Sequence, residues 1–106
     1  MRLGADVAYF FLKLLGPRPT FPFDITDVER AVMAEHTAYW TKKVAEKVAH
    51  AVGPVFDPKG AFGMGLIECE TLEDAAKLTD EDPVALSGLG FTWEISPMPA
   101  AILPVR

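Results

Sequence analysis

Val7-Ala8-Tyr9-Phe10-Phe11-Leu12-Lys13-Leu14-Leu15 is a nine-residue apolar run closed by Gly16-Pro17. Its length, aromatic content and abrupt Gly-Pro end read as a strand. Side chains alternate across a strand, so Phe10, Leu12 and Leu14 share one face and Tyr9, Phe11 and Lys13 the other. Both faces are largely apolar. That is the pattern of a central strand covered on both sides, and the rest of the chain has to supply the cover.

The segment after it, Gly16 to Phe23, carries Pro17, Pro19 and Pro22 and reads as a loop. Thr26-Asp27-Val28-Glu29 fits a capping box, in which the threonine hydroxyl accepts from an orphan amide while the glutamate reaches back. Nothing breaks the helix from there to about Ala49, and Gly53-Pro54 marks its outer limit. Val52 to Phe56 suits a short strand, Asp57-Pro58-Lys59-Gly60 a type I turn, and Ala61 to Cys69 the returning strand of a hairpin. Gly63 and Gly65 fall on one face of that strand and leave room for a close approach to the backbone. Thr71-Leu72-Glu73-Asp74 opens a second helix through Leu78, which Asp80-Glu81-Asp82-Pro83 ends. Phe91, Trp93 and Ile95 alternate with polar residues as a half-buried strand. The tail from Pro97 reads as extended.

The order β-α-β-β-α-β with right-handed crossovers predicts an α+β, ferredoxin-like fold, with both helices on one face of a four-stranded antiparallel sheet. The first and third strands are then central, in agreement with the two-sided apolarity of the opening run. The helices leave Tyr9, Phe11 and Lys13 uncovered. The economical cover is a second copy of the same sheet, so a two-fold homodimer is expected.

The chain is 106 residues long, half of them hydrophobic and 24% charged, which fits one folded domain spanning 1–106. A formal charge of −5, with Lys42, Lys43 and Lys47 as no more than a short ridge, argues against phosphate-backbone binding and hence against nucleic acid as partner. Cys69 is the single cysteine, so an intrachain disulfide is excluded and a reducing cytoplasm is the natural setting. The amino terminus has no signal pattern. No apolar run reaches the roughly 18–20 residues of a membrane span, so no membrane association is expected.

The helix segment Ala34-Glu35-His36-Thr37-Ala38-Tyr39-Trp40 holds the chemistry. His36 is either a partly buried histidine satisfied by one hydrogen bond or a general acid–base group, being the side-chain type that titrates near neutrality without help. In the second role it needs a partner. Asp82 is the candidate, although Asp followed by Pro83 is also a helix-start pairing whose carboxylate caps amides. The two roles are compatible. Tyr39 and Trp40 read as core or pocket wall rather than as catalytic groups. His50, near the expected end of the first helix, is favoured there by the helix dipole. Cys69 lacks a basic neighbour and reads as an inert thiol. Nucleophile elbows, phosphate loops and zinc-protease motifs are missing, and Gly63-Met64-Gly65 lies within a strand rather than at a dinucleotide turn.

Glu35-His36 with Tyr39-Trp40, then Gly53-Pro54-Val55, Asp57-Pro58 with Gly60-Ala61, Asp82-Pro83, Gly88-Leu89-Gly90-Phe91 and Pro97-Met98-Pro99, resemble in order and spacing the YciI-like (YCII-related) family, over about Val7 to Ile102. The resemblance implies a ferredoxin-like dimeric α+β barrel similar in build to muconolactone isomerase. It also implies an active site made by the helix-one histidine and the aspartate of the Asp-Pro pair, here His36 and Asp82. The expectation is a cofactor-independent lyase or isomerase that moves protons on a small aromatic or enolisable molecule, with Tyr39 and Trp40 walling the pocket and no metal. The alternative is a dimeric module that binds a small molecule without turnover. A metal held by His36 and Asp82 is a weaker reading, because two ligands are too few for a structural zinc.

Overall fold

The computed structural model describes residues 8–104. The readings that rest on residues 1–7, the start of the first strand at Val7 among them, lie outside that range. The elements in chain order are β1 (Ala8–Leu15), α1 (Asp27–Ala45), β2 (Ala49–Asp57), β3 (Gly60–Cys69), α2 (Leu72–Asp80), α3 (Pro83–Leu86) and β4 (Thr92–Met98). The sheet is four-stranded and antiparallel in the order β2-β3-β1-β4. β1 and β3 are central, and the fold is the expected ferredoxin-like α+β arrangement with one short helix added.

Alternation along β1 decides which face is buried. Phe10, Leu12 and Leu14 are buried, while Tyr9, Phe11 and Lys13 keep partial exposure. Phe10 and Leu12 pack with Trp40 of α1, Ala75 of α2 and Ile67 of β3. Leu14 packs with Phe21 of the first loop, Val84 of α3 and Phe91. All three helices therefore lie against the same sheet face. Gly63 and Gly65 stand opposite Leu14 and Leu12 in register. A Cβ on Gly63 would come within 3.3 Å of the Leu14 Cβ, so the absent side chain keeps this part of the sheet thin.

α1 starts as its sequence demands. The Thr26 side chain accepts from the Glu29 amide and the Glu29 carboxylate accepts from the Thr26 amide, closing the capping box. The helix ends earlier than expected. It stops at Ala45, and Lys47 takes φ 64° to turn the chain back. A left-handed residue after a helix is usually glycine or asparagine; here a lysine fills the role, so the stop has no sequence signal. Ala49 is drawn into the core opposite Ile67, and β2 begins there rather than at Val52. His50 accordingly sits on β2, where its Nε2 is 2.7 Å from Oε1 of Glu68, and not at a helix end.

β4 also runs further than expected, through Pro97 to Met98. β2 and β4 are the two edge strands, the positions where proline is tolerated because one row of amides has no strand to pair with; they hold Pro54 and Pro97 respectively. The β2–β3 connection is a tight turn in which Oδ1 of Asp57 accepts from the Lys59 amide, and Gly60 has φ 137°. Among the described residues, no helix is long and apolar enough to cross a membrane.

Candidate functional site

The core-facing side of α1 carries polar groups where an ordinary amphipathic helix would carry leucines. Its buried residues are Glu29, His36 and Trp40. Their spacing of seven and four places them on one helical stripe. The lower part of that stripe meets the loop after β1. Arg18 donates from Nη1 and Nη2 to the two carboxylate oxygens of Glu29, at 2.7 and 2.8 Å, and from Nε to Asp24 at 2.9 Å. Arg18 holds the Glu29 carboxyl well below its ordinary value, down to about 2, helped by the capping hydrogen bond from Thr26. The Asp24 carboxyl is lowered as well, by hydrogen bonds from Arg18 and then Thr20. This clamp fastens the proline-rich loop over α1 and sets Phe21 against Phe91 and Leu14.

Higher on the stripe, Nδ1 of His36 lies 2.7 Å from Oδ2 of Asp82, and the indole Nε1 of Trp40 donates to the same oxygen. The other carboxylate oxygen, Oδ1, accepts from the Val84 amide at 2.9 Å, so Asp82 is the N-cap of α3 as well, with Pro83 at the first helical position. The Asp82 side chain therefore caps α3 and contacts His36 at the same time. Its side chain is fully buried. Burying a carboxylate without partners costs several kcal/mol; three donors, one of them on a titratable ring, replace the lost water. The cap and the indole fix the carboxylate, and the carboxylate fixes the imidazole.

His36 is 8% exposed, and that remaining edge lines a half-open cavity of about 370 Å³. Asp82 lies behind the ring and does not reach the cavity wall. With Nδ1 taken by the carboxylate, Nε2 has no hydrogen-bond partner among the described residues. α1 contributes His36, Thr37, Trp40 and Thr41 to the wall, the first loop Phe21 and Pro22, and β4 Trp93. The β2–β3 hairpin closes the opposite side. Among the described residues, no Asp, Glu, Lys or Arg lines the cavity. The lining side chains are apolar apart from the imidazole, two threonine hydroxyls and two indoles.

Of the four site residues expected from the sequence, His36, Asp82 and Trp40 meet at one carboxylate oxygen. Tyr39 does not join them. Its hydroxyl donates to the Leu78 carbonyl at 2.7 Å, tying α1 to the end of α2, and its ring packs edge-on against Trp40. Tyr39 is absent from the cavity wall, because successive helix residues are turned about 100° apart and Trp40 already takes the inward direction. Burial, followed by the charges of Glu81 and Asp82, pushes its phenol up to about 12. The sequence reading also missed Trp93. The Trp93 ring lies 6.3 Å from that of His36 and 5.9 Å from that of Trp40. Its alternation with Phe91 and Ile95 identified a strand, but its place beside His36 depends on pairing with Leu14, which no local pattern encodes. Cys69 is half-buried and its thiol is raised by burial and then Asp74, as suits an unreactive sulfur. Among the described residues, no cluster of three or more His, Cys, Asp or Glu is placed to hold a metal ion.

A ferredoxin-like sheet with a buried histidine–carboxylate pair behind an apolar cavity defines a small α+β protein with one titratable group on the cavity wall. Comparison with family models then makes the assignment specific: residues 10–99 match the YCII-related domain, and the chain belongs to that family. Comparison with curated proteins returns no match.

Proposed function

We propose that the protein is a cofactor-independent enzyme of lyase or isomerase type, in which His36 moves a proton on a small, apolar or aromatic molecule bound in the cavity. One observation carries the reading: the imidazole is gripped at Nδ1 by a fully buried carboxylate while its far edge lines an otherwise apolar cavity. A base needs its lone pair directed at the substrate and its other nitrogen committed. Asp82 would hold the ring in the tautomer with the proton on Nδ1 and stabilise the imidazolium that forms once Nε2 has taken a proton. Trp40, by donating to the same carboxylate, would keep Asp82 an acceptor. A bound apolar molecule would displace water from the cavity, which strengthens charge interactions at its wall.

Tyr9, Phe11, Met64 and Leu66, half-exposed on the outer sheet face, support a homodimer in which a second copy covers that face. The free Cys69 is consistent with a reducing, cytoplasmic setting.

A second reading, a binding module without turnover, draws on the same cavity, since a single titratable group on an apolar wall is also enough to orient a ligand. Solvent-deuterium exchange into enolisable and hydroxylated aromatic compounds separates the two. The enzyme reading expects exchange that falls about a hundredfold or more in His36→Gln. Saturable binding with no exchange would leave the binding module.

A further inference from the structure

The side chains of the cavity wall are short of hydrogen-bond donors. Among the described residues, no lysine or arginine lines it. Of its two indoles, Trp40 spends its N–H on the Asp82 carboxylate, and the Trp93 nitrogen is sealed from solvent. Thr37 gives its hydroxyl proton to the Met33 carbonyl at 3.0 Å, and Thr41 gives its own to the Thr37 carbonyl at 2.7 Å. Every polar hydrogen on these side chains is taken or out of reach.

His36 adds an acceptor to the same wall. With the ring proton held on Nδ1 toward Asp82, Nε2 carries a lone pair. Nε2 has no partner among the described residues, yet the one unpaired side-chain atom sealed from solvent there is the Trp93 nitrogen. Nε2 therefore keeps open surface, on a residue that lines the cavity. The side chains thus offer a ligand acceptors and no donor. A carboxylate or phosphate would be held there without a hydrogen-bond partner or a counter-charge, and burying such a group unpaired is unfavourable.

We infer that the cavity selects an uncharged, ring-sized molecule that brings its own O–H or N–H donor, and that Nε2 of His36 receives it. The size follows from the space: about 370 Å³, walled by Phe21, Met33, Trp40 and Trp93, suits one or two fused rings. The selectivity follows from the inventory. A site that accepts from a substrate O–H or N–H rejects the analogue lacking it, because its own acceptor is then left unpaired. The inference deepens the proton-transfer reading by naming the substrate class. It rests on that reading for the binding place and the tautomer of His36, and not on turnover.

The test uses the full chain with isotope-labelled histidine at about pH 8, well above the ordinary histidine value. The probes share one size: indole, whose N–H only donates; benzofuran, its counterpart with a ring oxygen that only accepts; and the anion 2-naphthoate. Indole is expected to bind about fivefold tighter than benzofuran and to move the Nε2 nitrogen signal of His36 upfield, as a lone pair does on accepting a hydrogen bond. Benzofuran should leave that signal in place, and 2-naphthoate should not compete. His36→Phe keeps a ring and removes the acceptor, so the preference for indole should vanish. The proposal is overturned if benzofuran binds as tightly as indole, if the Nε2 signal ignores indole, if the preference survives in His36→Phe, if 2-naphthoate competes as well as indole, or if no probe binds. Should His36→Phe fold poorly, the wild-type affinities and shift decide alone. Isotope exchange keeps the two ideas apart. Donor preference without any exchange would refute turnover and not the selectivity, whereas exchange without donor preference would refute the selectivity alone.

Discussion

His36 Nδ1 and Asp82 Oδ2 stand 2.7 Å apart although 46 positions separate them in the chain. α1 brings the imidazole from one side of the core and the start of α3 brings the carboxylate from the other, so the pair exists only when α1, α3 and the sheet are assembled. A backbone amide and the Trp40 indole pin the carboxylate beside the histidine, which makes it a rigid partner.

Replacing Asp82 by asparagine keeps the volume and removes the charge. The imidazolium formed during proton transfer then loses its counter-charge. Isotope exchange into an enolisable probe should fall at least about tenfold while the probe still binds, because Asp82 does not line the cavity. Exchange rates and binding isotherms on the same variant check both halves.

Trp40→Phe retains the ring packing against Trp93 and Tyr39 and deletes one donor to a buried carboxylate. Hydrogen bonds to charged groups contribute about 1.5–3 kcal/mol, and the variant should lose stability in that range. Urea unfolding at neutral pH measures it, and a loss below about 0.5 kcal/mol would mean that the indole does not hold Asp82.

The loop clamp predicts an acid dependence with a definite sign. The folded Glu29 carboxyl titrates at about 2, below its ordinary 4.5, because Arg18 and the Thr26 amide favour the ionised form. A depressed carboxyl contributes stability that is complete above its unfolded value and is lost as pH falls toward the folded one. The stability gap between the wild type and Arg18→Met should therefore be widest above about pH 5 and close progressively toward pH 2. Urea midpoints across that range provide the check; parallel curves would contradict it.

The outer sheet face makes a prediction about assembly. Phe11 pairs across the strands with Leu66, and Lys13 lies over the Phe62 ring at 4.7 Å. A stable interface buries roughly 1,200 Å² or more in total, and a charge at its centre should break it. Sedimentation equilibrium is expected to give twice the chain mass for the wild type and the single-chain mass for Phe11→Asp. A monomeric wild type would remove the second copy from the account.

Much of the architecture was legible because each signal was local and repeated. The alternation in β1, the capping box at Thr26, and the turn at Asp57 to Gly60 each depend on a few neighbouring residues. What was misread depends on tertiary pairing. The end of α1 rests on Lys47 taking a left-handed conformation, and the extra length of β2 and β4 on partners elsewhere in the sheet. The contact between His36 and Asp82 was legible from residue type and family resemblance. Tyr39 was given the wrong direction because neighbouring aromatics on a helix look equivalent in one dimension. Trp93 and the Arg18–Glu29 clamp were invisible for the same physical reason: each is a contact between segments that only the folded sheet brings together. The polar stripe of Glu29, His36 and Trp40 blurred the apolar periodicity of α1 where its side chains serve the clamp and the site rather than the core.

The most direct test is the tautomer of neutral His36, read by imidazole nitrogen and proton NMR on the wild-type chain. The account predicts a proton on Nδ1, shifted far downfield by the Asp82 carboxylate, and a bare lone pair on Nε2. A proton found on Nε2 with Nδ1 bare, or a ring averaging between tautomers like free imidazole, would contradict it.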